Sequence, residues 1–203
     1  MIAADALVIA TFVAITVQRG LELRVARRNA AIAADRGARE FGAGHYPAFF
    51  LLHGSWMLGW LVEAFVRGPQ VSPQWPWWLA GFVAAGLLRY WAITSLGSRW
   101  NTRILVVPGD APLRRGPYRW LAHPNYLAVV LELSCVPLLF GAWTTAAVCS
   151  GLNAVLLLAV RIPAERTALR WAAAQARAVT DAGASQAPST PATPTDRPPK
   201  RPR

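Results

Sequence analysis

Residues 115–126 read Arg-Gly-Pro-Tyr-Arg-Trp-Leu-Ala-His-Pro-Asn-Tyr. One histidine, two tyrosines and two arginines can together donate, accept and carry charge. Two prolines fix the backbone that presents them. Such a polar island between apolar segments is a candidate site for a charged cofactor beside a cavity for a lipophilic substrate.

A second group of chemically able residues lies inside the apolar blocks: His53, Arg89, Glu132 and Asn153. Counted from the polar ends of their blocks, all four fall at roughly 9–12 Å below one interface. Ionisable groups inside membrane spans are functional candidates by default, so a shared polar pocket is one reading. The other is an Arg89–Glu132 ion pair holding helices together, with His53 and Asn153 bonded to backbone. Glu63 lies near the opposite interface and reads as a solvated helix-end residue.

The elements that must position these groups are membrane helices. Of 203 residues, 54% are hydrophobic and 15% are charged, whereas a soluble domain carries about a quarter. The apolar residues fall in blocks of spanning length, which is ~20 residues per helix. The fold class expected is all-α, a polytopic membrane protein with about five transmembrane helices. Block one covers 2–17, and an arginine-rich, proline-free segment continues it as a helix out of the membrane until Gly37 and Gly42. Block two covers 46–66, with Pro47 in its first turn, where proline is tolerated. Block three covers 75–95 and opens on Trp75, Trp77 and Trp78, an aromatic belt. The apolar run 125–160 contains Pro137 and Gly141 and fits a helical hairpin with its turn at 140–143. A short helix follows to about Val179.

The net charge is +11, from a single lysine, Lys200, and many arginines. Nucleic acid is the usual partner of a basic soluble protein. Here the arginines gather at helix ends, where they set orientation and meet anionic membrane lipid. Segments 19–40, 97–124 and 161–177 are arginine-rich; 67–74 and 140–144 are not. The amino terminus is therefore expected outside and the carboxyl terminus in the cytoplasm. Residues 1–180 form the membrane-embedded domain. The Pro/Ala/Thr-rich stretch 181–203 is expected to be a disordered basic tail. Cys135 and Cys149, in apolar blocks with no Cys-x-x-Cys spacing, read as small core residues and not as a metal site or disulfide.

Several motifs together resemble the isoprenylcysteine carboxyl methyltransferase family. They are Arg89, Leu96-Gly97-x-x-Trp100, the Pro108-Gly109 turn, Gly116-Pro117-Tyr118-Arg119, His123-Pro124-Asn125-Tyr126, Glu132 and Arg161-x-x-x-Glu165. Ala122, Ala128 and Arg166 stand where that family commonly has arginine, glycine and a second acidic residue. The resemblance implies an integral membrane methyltransferase using S-adenosylmethionine. Tyr118, Arg119, His123, Pro124, Tyr126, Arg161 and Glu165 would bind the cofactor; Arg89, His123 and Glu132 would serve catalysis. Trp100, Trp120 or Trp171 could stack on adenine. The acceptor would be a lipophilic small molecule, a phenolic lipid hydroxyl or a prenylcysteine-like carboxylate, reached from the cytoplasmic face of a bacterial cell membrane. A carboxylate needs only a cation such as Arg89 or Arg161 to orient it. A phenol would benefit from a base such as His123, His53 or Glu132. Two other functions fit the same residues: a sterol-reductase-like enzyme binding NADPH through Arg114, Arg115 and Arg119, and a membrane scaffold without catalysis.

Overall fold

The computed structural model describes residues 2–185, with side chains from 3 to 178. Its helices are α1 (Ile2–Asp35), α2 (Tyr46–Val66), α3 (Trp75–Leu96), α4 (Pro124–Leu139), α5 (Trp143–Val155) and α6 (Ile162–Ser185). Four stretches are long and apolar enough to cross a bilayer: Ala3–Asp35, Ala43–Val66, Trp75–Arg99 and Trp143–Ala178. Helix α4 is apolar too but has only 16 residues. It forms a tight hairpin with α5. The chain is an all-α polytopic membrane protein. Large apolar side chains such as Leu7, Val13, Phe50, Leu58 and Leu87 are exposed, as expected where lipid rather than water is the solvent.

The spanning block and the arginine-rich segment after it are one continuous helix, α1. Helix α6 runs to Ser185, beyond the boundary at 180 read from the sequence. The rest of the proline-rich tail, 186–203, lies outside the described residues. One feature departs from a purely helical reading. Strands β1 (Arg39–Phe41) and β2 (Ile104–Val106) pair antiparallel, with Glu40 opposite Leu105. This ribbon ties the loop after α1 to the loop after α3 and packs against α6.

The most extensive helix contact is α3 on α4. Ala85, Ala92 and Ala128 are fully buried there, small residues that let membrane helices approach closely. The core of the bundle gathers Trp56, Trp60, Leu133, Val136 and Phe140 from α2, α4 and the hairpin turn, and the Trp60 ring stacks on Phe140 at 5.6 Å.

The hairpin turn has a defined chemistry. The Ala142 amide donates to the Pro137 carbonyl at 2.9 Å and the Gly141 amide to Leu138 at 3.3 Å. This is a Schellman stop, which needs a left-handed residue, and Gly141 supplies it at φ +69°. Helix α5 then starts on a carboxylate. Glu63 accepts from the Thr144 amide (3.0 Å), the Thr145 amide (2.7 Å) and the Thr145 hydroxyl (2.8 Å). Glu63 is thus a cap from a neighbouring helix and not the solvated residue expected. An anion is favoured at a helix amino terminus because the first amides there lack partners.

Pro137 creates a second debt. Its missing N–H leaves the carbonyl four residues earlier, on Leu133, without its helical donor. In hydrocarbon such a group must be satisfied. The Trp56 indole N–H donates to that carbonyl at 3.0 Å. Trp56→Phe is therefore expected to lower stability by about 1–3 kcal/mol, measured by unfolding in mixed micelles. In a Pro137→Ala background, where α4 supplies its own amide, the loss should shrink; an equal loss in both backgrounds would contradict this assignment.

Candidate active site

The motif 115–126 folds into one 3-10 turn (Gly116–Arg119) and the first turn of α4. Gly116, at φ +56°, lies so close to α3 that a Cβ there would meet the Ser95 hydroxyl oxygen at 1.9 Å. The Arg115 guanidinium donates to the Ser95 carbonyl at 2.8 Å and holds the turn down. Pro124 is buried at the first position of α4 and does not face the cavity; it starts the helix.

His123 and Tyr126 stack with ring centroids 5.1 Å apart and planes 14° from parallel. The Tyr126 hydroxyl donates to Glu165 at 2.6 Å and accepts from the Arg161 Nε at 3.2 Å. Arg161 also donates to the Thr102 carbonyl at 2.7 Å. His123 Nδ1 is 3.6 Å from the Glu165 carboxylate. The start of α4, the loop before β2 and the start of α6 thus meet in one cluster carrying both signs of charge. Tyr118 lines the same cavity. Burial first, and then the Glu165 carboxylate, push its phenol above the ordinary range. It is a neutral hydroxyl throughout the physiological range.

The cavity has a volume of about 530 Å³, within the range of small-molecule sites. Its wall along α5 and α6 includes Asn153, Leu157, Arg161 and Glu165, each four residues after the last. At about 100° per residue, twelve residues of α-helix would turn Glu165 about 120° away from Asn153. The segment Leu156–Arg161 is instead a π-helical turn. Its wider i→i+5 winding rotates each residue less and keeps the row on one face.

A second group of four charges adjoins the cavity, three of them on its wall. Glu132 is paired with Arg89 and with Arg19 in close contacts, the Arg89 Nε–Glu132 bond being 3.1 Å. Arg19 donates to Glu22 at 2.5 Å, and Arg89 is 3.7 Å from Glu22. Two cations and two anions from α1, α3 and α4 cancel. Arg89 is 4% exposed and Glu132 1%. Arg89, Arg19, Glu22, His53 and Asn153 line the cavity; Glu132 lies behind the arginines. Of the groups expected to serve catalysis, Arg89 and His123 are on the wall, while Glu132 holds the place of a counter-ion. Of the four residues expected at one depth, His53, Arg89 and Asn153 line the cavity, and Glu132 pairs with Arg89.

The remaining candidates are elsewhere. Arg119 is exposed over its neighbour Trp120 and lines only a shallow cleft with Arg114 and Tyr118. Trp120 packs on Trp91, and Trp171 on Phe41 and Arg39. Trp100 is buried on the cavity wall. Sequence reasoning missed Arg19 and Glu22. The available signal was an Arg and a Glu three apart on one helix face, close beyond a span of marginal length.

Residues 78–171 match the isoprenylcysteine carboxyl methyltransferase family. The chain is 44% identical over 154 residues to the uncharacterized protein YpbQ of Bacillus subtilis (strain 168), covering 76% of this chain and 91% of that protein. The chain belongs to the isoprenylcysteine carboxyl methyltransferase family. An uncharacterized protein of Haemophilus influenzae is 27% identical over 161 residues, covering 78% of this chain and 92% of its own. No solved structure matches the chain. The family is one of methyltransferases, and its matched segment holds the His123–Tyr126–Arg161–Glu165 cluster, Arg89, Glu132 and Asn153. Arg19, Glu22 and His53 lie before it.

The charge group makes a specific prediction. Glu132→Leu leaves the buried Arg89 and the half-buried Arg19 facing Glu22 alone and is expected to cost about 3–5 kcal/mol. The double change Arg89→Leu/Glu132→Leu leaves the balanced Arg19–Glu22 pair and should be less destabilising than Glu132→Leu alone. Unfolding of detergent-solubilised variants measures both; a double variant weaker than the single would contradict the pairing.

Proposed function

We propose that this chain is an integral membrane S-adenosylmethionine-dependent O-methyltransferase acting on a lipophilic acceptor. The acceptor is a phenolic lipid hydroxyl or a prenylcysteine-like carboxylate. The site faces the cytoplasm from a bacterial inner membrane. The observation that carries this reading is the two-signed cluster of Tyr126, Glu165, Arg161 and His123 at one end of an apolar-walled cavity.

The residues present fit the cofactor's chemistry. Adenosylmethionine has a carboxylate, an ammonium, a sulfonium and an adenine. Arg161 supplies a cation for the carboxylate, and Glu165 an anion for the positive groups. The buried Asn125 Oδ1 and Trp100 Nε1 have no hydrogen-bond partner and lie on the same cavity wall. A ligand offering both donors and acceptors satisfies them. When bound, the cofactor supplies an electrophilic methyl group. The chain's own residues then orient the acceptor and exclude water, the main demands of an in-line displacement. An ionised carboxylate needs no base. A hydroxyl proton can pass to the His123 imidazole, whose Nδ1 lies 3.6 Å from the Glu165 carboxylate.

The test is equilibrium binding to detergent-purified protein. S-adenosylmethionine should bind, and Glu165→Gln and Tyr126→Phe should each weaken it by at least roughly tenfold. Binding of NADPH in its place would contradict the proposal. The orientation is checked separately with cysteines placed at Gln70 and Arg114. A membrane-impermeant maleimide should reach Gln70→Cys from outside and Arg114→Cys only in inverted vesicles.

A further inference from the structure

The loop between α3 and α4 carries five arginines and a single carboxylate, Asp110. Three of the five are engaged within the protein. Arg99 lies 3.4 Å from Asp110 and donates to the Ala111 carbonyl at 2.9 Å. Arg103 pairs with Glu40 at 3.1 Å and lies over the Tyr46 ring. Arg115 donates to the Ser95 carbonyl at 2.8 Å. Arg114 and Arg119 remain. Both are exposed, and among the described residues neither has a carboxylate or hydrogen-bond partner; Arg119 lies over the Trp120 ring. These two arginines line one shallow cleft with Tyr118. Tyr118 also lines the large cavity, whereas Glu165 lines the cavity and not the cleft. The cleft therefore holds two positive charges and no counter-ion.

Its position in the bundle says what kind of anion could reach it. Gly116 packs against Ser95 and Trp91, both in the last turns of α3, so the cleft stands where a spanning helix ends. Trp91 and Trp120 pack with ring centroids 5.8 Å apart, yet they are 45% and 68% exposed. Tyr90 and Leu121 extend this exposed apolar surface. Indole rings at the end of a span sit at the boundary between acyl chains and headgroups. Two unneutralised guanidiniums beside them place fixed positive charge at the level of the lipid phosphates.

We propose that Arg114 and Arg119 hold the phosphate of one anionic phospholipid, whose glycerol and upper acyl chains lie against Trp120, Trp91 and Leu121. This goes beyond the methyltransferase reading and does not depend on it. A guanidinium matches phosphate oxygens with paired N–H donors. A soluble phosphate would leave the exposed indoles without a partner, so the membrane is the source of this ligand. A choline headgroup carries its own cation next to the phosphate and is disfavoured by two unpaired arginines. The result is a specific lipid site, distinct from the diffuse attraction of a basic surface for an anionic membrane.

The experiment compares wild type, Arg114→Gln/Arg119→Gln, Trp120→Ala and a charge-matched control, Arg166→Gln/Arg177→Gln, each full length and delipidated in detergent. The control pair is exposed on α6, and eleven residues of helix set its members about 16 Å apart, too far to share one phosphate. The probes are dioleoylphosphatidylglycerol, dioleoylphosphatidylcholine and inorganic phosphate. Native mass spectrometry reads bound lipid, and melting temperature reads the fold. Wild type should bind the phosphatidylglycerol at least roughly tenfold more tightly than the phosphatidylcholine. Inorganic phosphate should not displace it. Arg114→Gln/Arg119→Gln should weaken phosphatidylglycerol binding by about tenfold or more and erase the preference. Each single arginine change should give part of that loss. Trp120→Ala should weaken binding of both lipids, and the control pair should stay within about twofold of wild type. Without lipid, the melting temperature of Arg114→Gln/Arg119→Gln should match wild type, since neither side chain has a structural partner to lose. Added phosphatidylglycerol should then raise melting in the wild type more than in that variant.

Equal wild-type affinity for the two lipids would overturn the proposal. So would an equal loss in the two arginine pairs, which is the mark of diffuse charge, or displacement by inorganic phosphate, which is the mark of a soluble-anion site. Unchanged lipid binding in Trp120→Ala would also overturn it.

Discussion

Glu132 sits at the centre of a helix bundle where no water competes for it, with both carboxylate oxygens engaged by arginines. An isolated charge at this place would be untenable; a pair is held only if its geometry and its remaining bonds are good. Here the pairing extends to Glu22, so that α1, α3 and α4 share a neutral group of four. Asn29 and Asn101 add two more ties between α1 and the loop after α3: Asn29 donates to the Gly97 and Trp100 carbonyls, and Asn101 to the Ala26 carbonyl. The amino-terminal helix, which precedes the family-matched segment, is thereby built into the wall of the cavity.

That constraint organises the site around two chemically different ends. One group carries His123, Tyr126, Arg161 and Glu165, with both signs of charge in contact. The other carries the matched charges of Arg19, Glu22, Arg89 and Glu132, and Asn153 on the same cavity wall has no hydrogen-bond partner. The π-helical turn joins the two, because it lets one helical ribbon present Asn153, Leu157, Arg161 and Glu165 on a single face.

Much of this was legible in the residues. Tryptophan belts, Pro47, Pro124 and Gly141 mark helix starts and a stop, since each removes or supplies a specific backbone option. Arg89 and Glu132 were legible as partners because ionisable groups in hydrocarbon must find each other. Arg19 and Glu22 were not, because an arginine just past a short apolar run reads equally well as a residue leaving the membrane. The β1–β2 ribbon was hidden for a different reason: three-residue strands 65 positions apart carry no periodic signal. Glu63 was misread because a carboxylate near an interface gives no hint that a neighbouring helix begins beside it. Arg119, within the most conspicuous motif, is exposed over Trp120, while its neighbour Tyr118 in the same 3-10 turn takes the cavity-facing place.

The account stands or falls on methyl transfer from the aqueous donor into a lipid acceptor. The most direct measurement incubates the purified full-length protein, reconstituted in nanodiscs, with methyl-tritiated S-adenosylmethionine and a bacterial lipid extract, then partitions the label. The account predicts protein-dependent label in the organic phase, carried by a small molecule. Label confined to the aqueous phase, with the donor bound and intact, would contradict it.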